Sequence, residues 1–174
     1  MSATYVKSIR SGLALAKQMR GDNTYRINCI YIEYQNLASP GDTAVLPASS
    51  PFDGLEYFNN LTSDYDFIRA PLIGEPALRI ASGYTPYYGE GEGNTLDFVA
   101  ASADIIGELG RPFTNADNSK VYGVALVSAP DWTDRSRDII IERAYFSNVG
   151  EQILRPETGT FFVNYPITFG DGSV

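Results

Sequence analysis

The sequence predicts a mainly β fold, an antiparallel β-sandwich or jelly-roll-like domain with a short N-terminal helix. Three observations lead there. Val121–Ser128, Asp138–Phe146 and Phe161–Phe169 are strand-like runs separated by polar breaks in the C-terminal third. Tyr25–Gln35 (YRINCIYIEYQ) is a further run of the same kind. Several short strands with turn signals between them, and no βαβ alternation, argue against a doubly wound sheet. The 174 residues suit a single domain spanning 1–174, with 1–20 as a helix or arm and 36–52 as an extended loop.

Taken in order, Thr4–Met19 carries Val6, Ile9, Leu13, Ala16 and Met19 at three- and four-residue spacing, the pattern of an amphipathic helix. Ser2 or Thr4 would cap its start and Gly21 follows its end, while Gly12 weakens it by about 1 kcal/mol against alanine. Two roles stay open for it, packing on the core or docking as an arm on a neighbouring subunit.

In Tyr25–Gln35, Cys29, Tyr31 and Glu33 face one way and Ile30, Ile32 and Tyr34 the other. Both faces are apolar midway, so this strand is expected inside a sheet covered on both sides. Asn36–Phe52, with Pro40, Gly41, Asp42, Pro47 and Pro51, reads as a loop.

Gly54–Leu61 suits a short helix or turn. Tyr65–Leu72 and Pro76–Ser82 read as strands, and Gly74 between them suggests a hairpin. Pro71 and Pro76 would then stand at strand ends or on an edge, because proline cannot donate to a ladder. Tyr84–Asn94 (YTPYYGEGEGN) reads as an exposed loop. Thr95–Leu109 is ambiguous: alternation favours a strand through Ala103, and the alanine-rich middle also suits a helix. Gly107–Lys120 reads as a polar connection.

Composition narrows the function classes. With 21 acidic and 13 basic residues the formal charge is −8. No basic stripe stands out, which disfavours nucleic acid and anionic membrane surfaces as partners. No run reaches the roughly 18 apolar residues of a membrane span. Ile9–Ala16 is interrupted by Arg10 and Ser11, unlike a signal peptide, so folding in a cytoplasm is expected. The single cysteine, Cys29, lies in an apolar run and is expected to be a buried, inert thiol.

Histidine is absent from the sequence, which removes the commonest general base, the Ser–His–Asp and Cys–His arrangements and the usual transition-metal ligand. Carboxylate-only chemistry would have to use Glu90, Glu92, Asp97, Asp131 or Asp134, all in or beside expected loops where acids normally serve solvation. No catalytic residue is assigned on this basis. Gly89–Asn94 (GEGEGN) looks like a phosphate loop, but its two glutamates repel phosphate and no Lys-Ser/Thr follows. The oxygens of Glu90, Glu92 and Asn94 suit a hard cation in type, yet the EF-hand pattern is missing. Neither a metal nor a cofactor is assigned.

Contact residues are easier to nominate. Val6, Ile9 and Leu13 line the apolar face of the expected helix. Tyr84, Tyr87 and Tyr88 form an aromatic patch beside Pro86, suited to a protein or sugar contact or to packing on a sheet end. Asp131, Trp132, Asp134, Arg135 and Arg137 lie between two strong strands. Asp–Arg pairing there suggests a structural clamp, and Trp132 with Arg135 suggests an intersubunit contact.

VYGVALVSAP, DRSRDIIIERAYF and a closing NYPITF, with the Thr4–Met19 segment ahead of them, resemble small virion proteins of tailed bacteriophages, those of tail fibres, adaptors and the head-to-tail region. The resemblance covers Val121–Phe169 by pattern and brings no functional residue with it. It implies a non-enzymatic structural role in the tail or tail-fibre attachment region, copied many times, with a homo-oligomer and other virion proteins as partners and the virion as location. A capsid decoration or cement protein and a carbohydrate-binding module for host recognition are the alternatives.

Overall fold

The computed structural model describes residues 3–7, 16–17, 20, 22, 27–36, 54–62, 64–71, 78–80, 86–92, 96–97, 105–113, 119–146, 153–154, 160–161 and 164–168. These are mainly β, and every strand pair among them is antiparallel.

The principal sheet is built from β1 (Ala3–Lys7), β2 (Cys29–Asn36), β3 (Tyr65–Pro71), β9 (Ser119–Ser128) and β10 (Ile139–Phe146), in the order β1-β10-β9-β2-β3. β11 (Ile153–Leu154) adds to β9 at Val121 and Lys120, where β2 already holds the opposite side, so it continues the line of β10. A second sheet runs β13 (Asn164–Thr168), β5 (Pro86–Glu92), β4 (Leu78–Ile80). Two short pairs complete the described strands: β12 (Thr160–Phe161) with β6 (Leu96–Asp97), and β7 (Ile105–Ile106) with β8 (Pro112–Phe113). The one described helix with assigned ends, α1, is Leu55–Asn59.

β2 is an interior strand with Cys29 to Gln35 all buried, as its two apolar faces require. One face carries Cys29, Tyr31, Phe67, Ala125, Val127 and Ile140, covered by Phe58 of α1. Phe58 meets Tyr31 and Phe67 edge-on at 5.0 and 5.1 Å. The other face carries Ile30, Ile32, Tyr34, Ile68, Ala70 and Val121, with Phe113 of β8 packed on Tyr34 at 4.6 Å. Two bulges keep these faces consistent. Tyr122 is the extra residue in β9 and Ile141 the extra residue in β10. The first turns Tyr122 into the α1-side core beside Tyr65, and the second lets Ile140 and Arg143 share that side.

Several sequence expectations change. Thr4–Lys7 is not the start of a helix but part of β1, paired with β10 from Glu142 to Phe146. The physical reason is that β10 would otherwise present an unpaired edge, and five ladder pairs outweigh a helix weakened by Gly12. Helical backbone occurs further on, at Ala16–Lys17, where the Arg20 amide donates to the Ala16 carbonyl at 3.2 Å. β3 and β4 do not form a hairpin: β3 pairs with β2 and β4 with β5, in separate sheets. Pro86–Glu92, expected as a loop, is the middle strand of the second sheet, with Pro86 at its first position, where a missing N–H is tolerated. The connection expected over 107–120 contains β8 and the first residues of β9. The run 161–169 divides between β12 and β13, which belong to different sheets. Of the expected strand 95–103, Leu96–Asp97 is strand, and residues 98–103 lie outside the described residues, as does the Pro-rich segment 37–52.

Candidate functional site

The connection between β9 and β10, residues 129–138, is a surface turn rich in charged and polar side chains. Four groups hold it. Asn28 brackets Ala129 like an extra backbone unit: its Nδ2 donates to the Ala129 carbonyl and its Oδ1 accepts the Ala129 amide, both at 2.8 Å. Asp131 Oδ1 accepts from the Thr133 amide at 2.9 Å and hydroxyl at 2.7 Å, an Asx turn that folds the chain back. Asp134 caps the 3₁₀ turn Arg135–Arg137 by accepting from the Ser136 amide at 3.1 Å. Asp138, buried at the foot of β10, anchors the whole turn to the sheet.

That anchor is an Arg69–Asp138 pair. Arg69 Nε and Nη2 donate to the two carboxylate oxygens, each at 2.7 Å, and Tyr31 Oη donates to the same carboxylate at 2.5 Å. Nη1 donates to the Trp132 carbonyl and Nη2 also to the Asp131 carbonyl, both at 2.9 Å. Arg69 thus ties three points of one turn together with a rigid planar fork that a lysine ammonium could not reproduce. Its carbon Cζ lies 4.5 Å from the centre of the Trp132 ring, so the cation also supports the indole from one side. Trp132 is nevertheless 46% exposed.

Arg135 joins this turn to three other elements. Its guanidinium donates to Asn59 of α1 at 2.6 Å, pairs with Glu108 at 3.5 Å and lies over the Phe67 ring at 5.2 Å. Arg137 pairs with Asp131 at 3.4 Å. The hydrogen bonds from Thr133 hold the Asp131 carboxyl below its ordinary value of 3.8, so it stays an anion fixed to its own turn.

Two further charged clusters are carried by the same sheet. Glu33 of β2 and Arg143 of β10 form a buried pair at 2.8 Å, and Arg143 sits between the Tyr57 and Tyr145 rings at 4.4 and 4.3 Å. Arg143 Nη2 also donates to the Tyr57 hydroxyl at 2.7 Å. Burial pushes the Glu33 carboxyl up, and the adjacent guanidinium opposes that push. At the β3 edge, Asp66 accepts the amides of Phe67, Leu109 and Arg111 at 2.7, 3.0 and 2.8 Å. Tyr34 Oη donates to the Arg111 carbonyl at 2.6 Å, and the Glu108 amide to the Phe67 carbonyl at 3.0 Å. The turn 107–111 therefore wraps round the edge of β3 and satisfies it from both sides.

Of the nominated contact residues, Trp132 and Arg135 come together on one turn. Val6 is in β1, and Tyr87 and Tyr88 are in β5, paired with β13 and β4. Ile9, Leu13 and Tyr84 lie outside the described residues. Glu90 and Glu92 occupy ladder positions in β5 opposite Pro166 and Asn164. The Asp–Arg clamp expected within the turn exists as Arg137–Asp131, but the stronger clamp comes from Arg69 on β3. Arg69, Asp138, Glu33 and Arg143 were missed; the signal for Arg69, Glu33 and Arg143 was a charge inside an apolar strand run, as in FIRAP, YIEYQ and IIERAYF, and Asp138 stands just ahead of such a run. Cys29 is buried, and burial pushes its thiol well above the ordinary value. No described helix is long and apolar enough to cross a membrane.

Comparison with protein-family models, curated proteins and solved structures returned no match to this chain.

Proposed function

We propose that this chain is a non-enzymatic structural protein of a tailed-phage particle, assembling through subunit interfaces in the tail or tail-fibre attachment region. The observation that carries the proposal is how the buried charges are used. Glu33–Arg143, Arg69–Asp138 and Asp66 each fasten a surface segment to the same sheet, through α1, the 129–138 turn and the 107–111 turn. Carboxylates committed to holding turns in place favour a rigid scaffold whose work is done at its surface. The sequence resemblance of the C-terminal third supplies the phage setting.

The same reading takes the fold to be a sandwich, with the β13-β5-β4 sheet as the second layer. The support is the apolar, buried face of Ile30, Ile32, Tyr34 and Ile68, which needs more cover than β7 and β8 provide. β1 is the edge strand nearest the N-terminus, and a paired terminal strand is a natural place for subunits to join.

Light scattering over a dilution series tests the assembly role. A ring or trimer that survives dilution is expected. Sixfold or twelvefold symmetry would fit the tail axis and threefold symmetry a capsid decoration protein. A monomer of 19.1 kDa at every concentration, which also fails to add to purified phage particles, would sink the proposal.

A further inference from the structure

We infer that the 129–138 turn is a binding site for an uncharged saccharide, with Trp132 as its stacking platform, a function that goes beyond particle assembly and does not depend on it. The first argument is pre-organisation. One side of the indole rests on the Arg69 guanidinium at 4.5 Å, and that guanidinium is itself held by Asp138 and by the carbonyls of Asp131 and Trp132. The ring is therefore fixed before any ligand arrives, yet it remains 46% exposed. A fixed aromatic ring loses little conformational entropy when something stacks on it.

The second argument is the rim. Ile106, in the β7–β8 pair, is exposed as well. Around Trp132 the chain offers Asp131, Thr133, Asp134, Ser136 and Arg137. A protein hot spot normally sits inside a ring of contacts that excludes water, with apolar neighbours. A single flat ring within a polar fringe suits a sugar instead: its C–H face covers the indole and its hydroxyls meet the fringe. Asp134 spends Oδ1 on both Ser136 bonds, which leaves Oδ2 to accept a hydroxyl. Arg137, with its side chain 56% exposed, supplies donors from the other direction. The turn and its anchor balance Asp131, Asp134 and Asp138 against Arg69, Arg135 and Arg137, so an anionic sugar finds no excess of cations there.

Trp132 is the sole tryptophan, so fluorescence excited beyond the tyrosine absorption band reports on this site alone. The full chain is applied to an array of hexose and N-acetylhexosamine oligosaccharides, neutral and sialylated, and the hits are titrated by fluorescence. The expected result is saturable binding of a neutral oligosaccharide with a shift in Trp132 emission. Trp132→Ala, read by calorimetry, should weaken it at least about tenfold, and Trp132→Phe should retain part of it. Both variants should keep the wild-type urea midpoint and the wild-type mass by light scattering. A silent array, a preference for sialylated glycans, or binding that Trp132→Ala leaves intact would overturn the inference. Loss of oligomeric mass in Trp132→Ala with a silent array would also overturn it, and would make Trp132 a protein contact.

Discussion

The Glu33 carboxylate on β2 reaches across Gly123 of β9 to the Arg143 guanidinium on β10, and the two close to 2.8 Å with both side chains buried. The strands carrying them are not neighbours. Two ladder spacings separate them, about 10 Å, and the gap is bridged because the residue between has no side chain. A Cβ on Gly123 would collide with the Glu33 carboxylate. Breaking one partner strands the other as a buried charge, so Glu33→Met and Arg143→Met should each cost about 3–5 kcal/mol in urea unfolding. The double variant Glu33→Met/Arg143→Met should cost less than the sum. Gly123→Ala should lose about 1–3 kcal/mol by overpacking. Strictly additive single and double losses would show that the pair is not coupled.

Asp138 performs the matching task for the 129–138 turn. Asp138→Asn leaves the buried Arg69 guanidinium without its anion and should cost about 3 kcal/mol. The turn should loosen with it, shifting Trp132 emission to longer wavelength in the native state. Emission unchanged in a folded Asp138→Asn protein would mean that the turn is held by Asn28 and its own Asx bonds alone.

Asp66 gives a local prediction that hydrogen exchange can read. Its carboxylate accepts the Leu109 and Arg111 amides, so Asp66→Ala should speed exchange at those two positions by at least about tenfold relative to β9 amides. A Cβ on Gly107 would collide with the same carboxylate and with the Tyr34 hydroxyl, so Gly107→Ala should reproduce the effect. Equal protection in wild type and both variants would contradict the role given to this edge.

Alkaline stability follows from the buried phenols. Tyr31, Tyr34, Tyr57 and Tyr122 all lie above their ordinary value of 10.0, chiefly through desolvation by burial. In the unfolded chain they release protons near 10.0, whereas the folded chain retains them. Their contribution is complete below that pH and is lost as pH rises towards the folded values, by up to about 1.4 kcal/mol per pH unit for each phenol. Absorbance at the phenolate band should show part of the 12 tyrosines ionising only together with cooperative unfolding. A smooth titration of all of them in the folded state would refute the burial.

Cys29 lies in the same core, and burial raises its thiol as well. A thiol reagent should react with it only after unfolding, with rates in native buffer lower by at least about 100-fold than in urea. Prompt native labelling would mean that the α1-side core opens readily.

The parts of the fold legible in the sequence were those with a local signature. The apolar alternation of β2 placed Tyr31 and Ile32 on opposite faces, and the runs containing β3, β9 and β10 stood out between polar breaks. Trp132 and Arg135 were legible as a pair because they lie close together in one polar loop. The Ala3–Lys7 strand was not, because its partner lies more than 130 residues away and its apolar spacing also fits a helix. β5 was hidden for a similar reason: PYYGEGE reads as a turn until β13 and β4 flank it.

By itself the sequence determined that the chain is rich in strands, that the Tyr25–Gln35 run is apolar on both faces, and that it has no histidine to offer to catalysis. Those conclusions rest on side-chain periodicity and composition, which neighbouring residues carry between them. Only the tertiary structure decided which strands pair and how the buried charges Glu33, Arg69 and Arg143 are neutralised. It also decided that the tryptophan stands on an arginine from another strand. A buried charge is stable only opposite a partner, and antiparallel pairing chooses that partner by register across distant parts of the chain, which no local pattern records.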